Sequence, residues 1–288
     1  MSDYYLIDCP CGHKNNIIEN VCSACGRSLP GPINVRRASL PVEIEALDKR
    51  YADARQFLSA NDMQTEGDYF GQLVTNQGRA IINTNFNFVW DWLVRNKFSY
   101  QSYRRQVMNG SRMRAKFEND VTRSIADSIL FGSAIDVIYG ALTVNDEGMN
   151  SYGDISIVLK TSSIETRTSS LEVNSYHFID DISAQGWIWK NPVPAGYMAI
   201  WPDNYKIAVA KVHKSLKKGL KDNDLAKLVL NSSGNRDTDH FIELYIYGKI
   251  VASAIDKIRI PTAFINGLGS KARSRLKVLE GKFNVEHY

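Results

Sequence analysis

Hydrophobic residues recur at helical spacing in several stretches of the chain. Between Val42 and Ser59 they fall every three or four positions, with charged residues between them. An aromatic-rich run from Asn85 to Val94 has one apolar face, and a basic amphipathic pattern spans Leu216 to Leu230. The spacing therefore predicts helices at Val42–Ser59, Asn85–Val94, Asp120–Ile129 and Leu216–Leu230, and a short helical turn at Ser253–Lys257.

Other stretches alternate apolar and polar residues or concentrate β-branched side chains, which is typical of strands. In Asp154–Lys160 the apolar residues Ile155, Ile157 and Leu159 alternate with their neighbours, so we expect a half-buried strand. The predicted strands are Phe70–Thr75, Arg79–Asn83, Val137–Val144, Asp154–Lys160, Thr166–Leu171, a piece around Trp187–Trp189, Ala195–Trp201 and His240–Tyr247. Since these elements do not alternate strictly as strand and helix, we expect an α+β domain with a mixed, mostly antiparallel sheet.

The strand Phe241–Tyr247 carries the most chemical information. Period-two geometry places Ile242, Leu244 and Ile246 on one face, and Glu243 among aromatic residues on the other. A carboxylate at the centre of such a strand is costly to bury unless it has a partner or a function. Two interpretations follow from the pattern alone: Glu243 forms a cross-strand salt bridge or lies on an exposed sheet face, or it is a functional carboxylate.

All the cysteines lie near the N-terminus, at Cys9, Cys11, Cys22 and Cys25. Two closely spaced thiolate pairs can complete a tetrahedron around Zn²⁺, and a glycine follows the second cysteine of each pair. His13 is an alternative ligand because the first pair is unusually short. We expect a closed structural zinc site; whether it only stabilises folding or also docks a nucleic acid or protein is left open.

Composition and charge narrow the classes of function. The chain is 44% hydrophobic and 23% charged, with a net charge of +4, which is compatible with a nucleic-acid partner without requiring one. Two segments are strongly basic, one around Arg104, Arg105, Arg112 and Arg114 and one from Lys211 to Lys221; solvated surface is the alternative interpretation of each. No apolar run of about 18 residues occurs, so no membrane partner is expected, and the N-terminus lacks a secretory signal. We therefore predict a cytoplasmic protein. Neither Gly-rich phosphate-binding motif occurs, which argues against P-loop ATPases, kinases and Rossmann oxidoreductases.

Several short motifs occur in an order that resembles a family of bacterial ADP-ribosyltransferases. The pieces are Tyr103-Arg-Arg-Gln, Leu130-Phe-Gly-Ser-Ala-Ile-Asp136, Tyr139-Gly-Ala-Leu142, Tyr152-Gly-Asp-Ile-Ser-Ile-Val-Leu159 and Glu243-Leu-Tyr-Ile-Tyr-Gly248. The resemblance covers roughly residues 100 to 262 and implies an ADP-ribosyltransferase-like sheet with flanking helices. It also implies that NAD is a substrate, with Glu243 as the catalytic carboxylate and with Arg104 and Ser169 holding NAD. Arg105 competes with Arg104 for this role, and Ser170 and Ser175 compete with Ser169.

The expected organisation is a zinc ribbon at 1–31, a helical and hairpin connecting region at 32–99, and the catalytic domain at 100–288. The leading hypothesis is a mono-ADP-ribosyltransferase that modifies an intracellular target, RNA, DNA or protein, as a toxin or anti-phage effector. A toxin of this kind is expected to need an antitoxin partner. The alternative is a non-catalytic zinc-ribbon module that binds nucleic acid or protein. A metal-dependent nuclease ranks last, because Glu165, Glu172, Asp180 and Asp181 are scattered along the chain.

Overall fold

The computed structural model describes residues 6–16, 19–29, 31–95, 99–114, 117–132, 136–188 and 193–288, with only the backbone of 117–122. The helices are α1 Ile33–Ala38, α2 Pro41–Ala60, α3 Gln64–Gln77, α4 Phe86–Trp90, α5 Tyr103–Met108, α6 Phe117–Phe131, α7 Thr161–Ile164, α8 Ser175–Ala184, α9 Asn204–Val212, α10 Asp222–Val229, α11 Thr262–Asn266 and α12 Ser270–Glu280. The strands are β1 Leu6–Asp8, β2 Lys14–Asn16, β3 Arg79–Thr84, β4 Val137–Thr143, β5 Ile155–Leu159, β6 Thr168–Leu171, β7 Met198–Ile200, β8 Leu230–Asn231, β9 His240–Phe241, β10 Glu243–Tyr247, β11 Ile255–Ile260 and β12 Val285–His287.

Within the described residues, eight strands form one sheet in the order β12-β11-β5-β3-β4-β10-β6-β7. The pair β11–β12 is parallel and the other neighbouring pairs are antiparallel. The expected α+β class with a mixed, mostly antiparallel sheet is therefore confirmed. The strand β3 comes from the segment 32–99, yet it lies between β4 and β5 near the middle of the sheet.

Each face of the sheet packs against its own group of helices. One face, which includes Ile242, Leu244 and Ile246, packs against α2, α3 and α9 in the larger hydrophobic core. The opposite face, which includes Val137 and Tyr245, packs against α1, α6 and α8. The predicted division of the last strand into two faces is thus confirmed, and Glu243 lies on the side covered by α6 and α8.

Three predicted elements are wrong or displaced. Phe70–Thr75 is not a strand but part of α3, where the buried residues recur at helical spacing. Ser253–Lys257 is not a helical turn, since a short 3₁₀ turn ends at Ala254 and β11 begins at Ile255. The basic helix begins only at Asp222, because the preceding segment contains a glycine at Gly219 with a φ of 80°.

The helices predicted at 42–59, 85–94 and 120–129 and most predicted strands are confirmed. The strand Ile155–Leu159 is buried on both faces rather than half-buried, because helices or loops cover each side of the central sheet. The strand predicted around Trp187–Trp189 is not present at Trp187 and Ile188, and Trp189 lies outside the described residues. Among the described helices, none combines the length and the apolar character needed to span a bilayer.

Candidate functional site

The four cysteines converge into one cluster beside the β1–β2 hairpin. Their Sγ atoms all lie within 4.8 Å of one another, with 3.6 Å between Cys9 and Cys25 and 3.7 Å between Cys11 and Cys22. Sulfurs bound tetrahedrally to Zn²⁺ at about 2.3 Å are separated by roughly 3.8 Å, so the arrangement fits such an ion. The predicted four-cysteine set is therefore brought together, and it forms a cluster compatible with a structural metal site.

Two glycine turns shape this cluster. Gly12 has a φ of 85° and Gly26 a φ of 69°, the left-handed region that glycine adopts without strain. The amides of Gly12 and Gly26 donate to the carbonyls of Cys9 and Cys22, at 2.8 and 2.9 Å. His13 lies outside the cluster, with its Nε2 2.9 Å from the Ser23 hydroxyl. The four cysteines, and not His13, therefore form the candidate ligand set.

Glu243 occupies the first position of β10, a central strand of the sheet. It lies directly opposite Ala141 of β4 and Leu171 of β6, and 5% of its surface is exposed. The backbone N–H of Ser175 and the hydroxyl of Tyr245 both donate to Glu243 Oε2, at 2.8 Å each. Among the described residues no ion pair within 4.0 Å involves Glu243. Both structural alternatives, a cross-strand salt bridge and an exposed face, are therefore wrong.

Burial dominates the electrostatics of this carboxyl group. Removal from water raises the pKa of Glu243 to about 7, although hydrogen bonds from Tyr245 and Ser175 and the charge of Arg123 act in the opposite direction. The charge of Glu243 in turn raises the pKa values of Tyr139, Tyr152 and Tyr245, after the larger effect of their own burial. A group that is close to half ionised near neutral pH can act as a carboxylate or exchange a proton.

A second buried carboxylate lies on the same side of the sheet. Asp127 of α6 accepts a hydrogen bond from the Tyr139 hydroxyl, and its Oδ2 is 3.7 Å from Nη1 of Arg104. The Tyr139 and Tyr245 rings meet edge to face, with 5.3 Å between centroids. Burial raises the pKa of Asp127, against the effects of Tyr139, Arg104 and Arg123. Arg104 is thus connected to the surroundings of Glu243 through Asp127, Tyr139 and Tyr245.

Sequence reasoning missed Arg123, the cation whose charge acts on Glu243. Arg123 of α6 acts electrostatically on Glu243, Asp127 and Tyr139, and its guanidinium carbon stacks 4.1 Å from the Tyr103 ring centroid. Its Nη1 is buried and has no hydrogen-bond partner among the described residues. The polar spacing of α6 offered one signal, since Arg123 and Asp127 are four residues apart and share a helix face.

The three candidate serines have different surroundings. Ser169 lies on the Glu243 side of β6, directly opposite Tyr245, and its buried Oγ has no hydrogen-bond partner in the part of the chain that the structure describes. Ser170 points to the other side, where its hydroxyl donates to the carbonyl of Ala199 at 3.4 Å. Ser175 contacts Glu243 through its backbone N–H. The structure therefore brings Ser169 and Ser175 to the Glu243 side and takes Ser170 away from it.

Arg105 belongs to a different place, at the far end of β10. Its Nε and Nη2 form a fork with the two carboxylate oxygens of Asp136, at 2.7 and 2.9 Å. The pair lines an open cleft of about 620 Å³, named here the Tyr247 cleft. Its walls include Gln101, Arg105, Met108, Asp136, Tyr247 and Lys249. Residues 133–135, part of the motif that ends at Asp136, lie outside the described residues.

The remaining candidates are two tyrosines that could stack on a ligand and a group of acidic residues that could bind a metal. Tyr245 is fully buried and packs against Phe131, at 4.7 Å between ring centroids, whereas Tyr176 is half exposed. In the described part of the chain, the cysteine cluster is the one group of three or more ligand-type side chains close enough to share a metal. The acidic residues Glu165, Glu172, Asp180 and Asp181 form no such group there.

No family model matches the sequence, and no curated protein matches it significantly.

Proposed function

We propose that this protein is a mono-ADP-ribosyltransferase in which Glu243 is the catalytic carboxylate. The observation that supports it best is Glu243 itself, which is buried in mid-sheet and held through one oxygen by Ser175 N–H and Tyr245 OH. Arg123 and Asp127 lie around the same tyrosines, and Ser169 presents an unpartnered hydroxyl on the same side. A buried carboxylate with a perturbed pKa and a nearby cation is typical of functional sites.

The chemistry requires few groups. When the bond between the ribose C1′ and nicotinamide breaks, its electron pair goes to the ring nitrogen, which becomes neutral, and the sugar becomes an oxocarbenium-like cation. A fixed carboxylate stabilises that positive charge, because it is already oriented in a site of low dielectric constant. An oxygen or nitrogen of the acceptor then bonds to C1′ and releases its proton to water. Arg104 and Ser169 are proposed to hold NAD during this step.

The test uses NAD labelled in the adenylate half, incubated with the purified protein and cellular RNA, DNA and protein extracts. We expect label to enter one of these fractions, and Glu243→Gln to reduce labelling at least about a hundredfold. The matched control is Glu172→Gln, which removes a carboxylate paired with Arg50 at 2.5 Å. Labelling that persists in Glu243→Gln would refute the mechanism.

An experiment in cells distinguishes a toxic transferase from a non-catalytic binding module. Brief expression in cells followed by mass spectrometry should detect an added ADP-ribose, with growth arrest that Glu243→Gln abolishes and that an antitoxin partner would relieve. A non-catalytic module would instead bind its partner with steep salt dependence and ignore NAD. Binding without any NAD-dependent adduct would favour that alternative.

We further propose that Cys9, Cys11, Cys22 and Cys25 hold one structural Zn²⁺. Four sulfurs leave no open position for water, so the ion would stabilise the fold of the small module and take no part in the reaction. Elemental analysis should find one zinc per chain, and Cys25→Ser should lower the zinc content while Ser23→Ala retains it. A metal-free protein purified under reducing conditions would contradict this assignment.

A further inference from the structure

The helix α12 is strongly basic, a feature that the sequence analysis did not identify. Its cations are Lys271, Arg273, Arg275 and Lys277, and Lys282 follows just after the helix. We name these five residues the α12 basic surface. The segment 270–282 contains one carboxylate, that of Glu280, so it carries as much net positive charge as the whole chain, which is +4.

The structure does not neutralise this charge. In the part of the chain that it describes, no ion pair within 4.0 Å involves a residue of the α12 basic surface. The carboxylates that follow along the chain have other partners. Glu280 lies 2.9 Å from Nε2 of His287, and Glu286 pairs with Lys257 at 2.7 Å and with Arg259 at 3.3 Å. The positive charge of α12 is therefore available to an external anion.

Two arginines of this surface are held in place by neutral groups. Nε and Nη2 of Arg273 donate to two backbone carbonyls, one at the end of α11 and one in the loop after it, at 2.9 and 3.1 Å. Nη1 of Arg275 donates to Asn87 Oδ1 at 3.1 Å, and its guanidinium carbon lies 5.5 Å from the centroid of the Trp90 ring. Each guanidinium keeps further N–H donors, because it has five in total. The charges are thus positioned without being cancelled, which lowers the entropy lost on binding.

The cations lie on both flanks of the exposed side of the helix. The opposite side is formed by two buried leucines that pack on the larger core. Since residues four apart share a helix face, Lys271 and Arg275 lie on one flank, and Arg273 and Lys277 lie on the other. Arg275 is half-buried and the other three are exposed. Positive charge on two flanks suits a ligand that presents anionic groups on both sides of a helix.

The apolar content of α12 favours nucleic acid over a lipid membrane. A helix that lies on a membrane buries an apolar face in the lipid. In α12, which the structure describes throughout, Val278 is the one large apolar side chain that is exposed. A DNA duplex instead presents one charge per about 1.7 Å, and phosphates of both strands border a major groove wide enough for a helix.

We propose that the α12 basic surface binds duplex DNA through the phosphates of both strands. The inference does not depend on the proposed function, because it involves neither NAD nor Glu243. It is a sequence-independent mode of binding, since the contacts are made with the phosphate backbone.

The test uses fluorescein-labelled duplex DNA of about sixteen base pairs and anisotropy with the full-length protein in the absence of NAD. With about four phosphate contacts, the affinity should fall roughly a hundredfold between about 50 and 200 mM salt. The double variant Lys271→Gln with Lys277→Gln removes one cation from each flank. We expect it to bind more weakly at low salt and to lose only about tenfold across the same range. An unchanged salt dependence would refute the proposal.

The matched control is Lys217→Gln with Lys218→Gln, which removes two exposed lysines of the other basic segment and the same net charge. It should bind like the parent. Equal loss in both double variants would mean that binding follows net charge and not the α12 basic surface. Single-stranded DNA or an RNA duplex that binds as tightly as the DNA duplex would overturn the assignment to duplex DNA. Binding to vesicles of anionic lipid without binding to the duplex would assign the surface to membranes.

Discussion

Two buried glutamates in this chain have different hydrogen-bond partners, although burial raises the pKa of both. Glu43 Oε1 accepts three backbone N–H bonds, from Gly196, Tyr197 and Met198, at 2.8 to 3.0 Å. Glu243 Oε2 accepts one backbone N–H and one tyrosine hydroxyl. The first arrangement fixes α2 to the turn before β7, where a Cβ on Gly196 would lie 2.8 Å from the Ala46 backbone. The second leaves a carboxyl group whose protonation is poised near neutral pH.

The raised pKa of Glu243 predicts how its contribution to the free energy of unfolding depends on pH. The pKa of Glu243 is about 7 in the folded chain and near 4.5 when unfolded, so the folded state binds more protons between these values. Stability from this residue is therefore full below pH 4.5 and is lost as pH rises through 7. The Glu243→Gln variant has no carboxyl group to ionise at this position, so it does not lose this stability. At pH 8 its free energy of unfolding should exceed that of the parent by on the order of 3 kcal/mol.

Urea unfolding of both proteins at pH 5 and pH 8 measures this effect. The advantage of Glu243→Gln should be small at pH 5 and grow toward pH 8. A difference that does not change with pH would mean that Glu243 titrates normally in the folded chain.

The hydroxyl of Tyr245 should tune the reaction. It donates to Glu243 Oε2 and lowers the pKa of that carboxyl, so Tyr245→Phe is expected to raise this pKa above 7. In the parent, NAD-dependent labelling is expected to rise with pH around 7. In Tyr245→Phe this rise should move to higher pH, and labelling should recover in alkaline buffer. Tyr69→Phe, at an exposed tyrosine bonded to Asp222, is the control. An unchanged pH profile would show that Tyr245 has only a packing role.

At the residue scale the sequence predicted the side of the strand that carries Glu243 and the four cysteines that form one cluster. Both depend on local geometry, the period of a strand and the spacing of thiolate pairs. Arg123, Asp127 and Tyr139 were not predicted as neighbours, because their proximity to Glu243 depends on how α6 crosses the sheet. Sequence periodicity does not predict the spatial distance between residues that are more than 100 positions apart.

At the scale of the elements, the prediction of a strand at Phe70–Thr75 was wrong, because these residues belong to α3. Phe70–Thr75 looked like a strand because of its apolar run, and glycine weakened the helical pattern around it. In the structure Gly67, Phe70, Gly71 and Val74 are buried on one helix face, and Gly67 lies in close contact with Leu58 of α2. Burial of this face therefore overrides the low helix propensity of the two glycines, and only Gly67 is required for close packing.

The two glycines should respond differently to alanine. A Cβ on Gly71 would lie 3.7 Å from Val209, an ordinary contact, whereas one on Gly67 would lie 2.5 Å from Leu58 Cδ1. Gly71→Ala should stabilise the protein by about 0.5 to 1 kcal/mol through helix propensity. Gly67→Ala should lose that gain, because Leu58 is 1% exposed and has little room to move. Thermal unfolding of both variants checks this, and equal stabilisation would contradict it.

At the scale of the whole molecule, β3 joins β4 and β5 in the middle of the sheet. This strand lies in the segment 32–99 that was predicted as a connecting region, yet it pairs with both β4 and β5. The α+β class followed from local patterns, but strand order did not, because pairing between distant segments leaves no periodic signal in one sequence.

Two truncations test the importance of β3. A fragment of residues 31–288 keeps every strand of the large sheet and should unfold cooperatively. A fragment of residues 100–288 leaves β4 and β5 without their common neighbour, so it should be aggregated or lack a cooperative transition. Circular dichroism with thermal melting distinguishes them. Cooperative unfolding of 100–288 would show that β4 and β5 can close the gap by themselves.

The order of the strands also determines when the centre of the sheet is completed during folding. The strand β10 inserts between β4 and β6, which lie more than 70 residues earlier in the chain, so both must wait for a distant segment. Contacts of such long sequence separation slow the search for the native pairing. Refolding is therefore expected to proceed through species with two unpaired inner edges. The buried position of Glu243 therefore exists only once β10 lies between β4 and β6, so we expect any activity that depends on it to recover no earlier than that pairing.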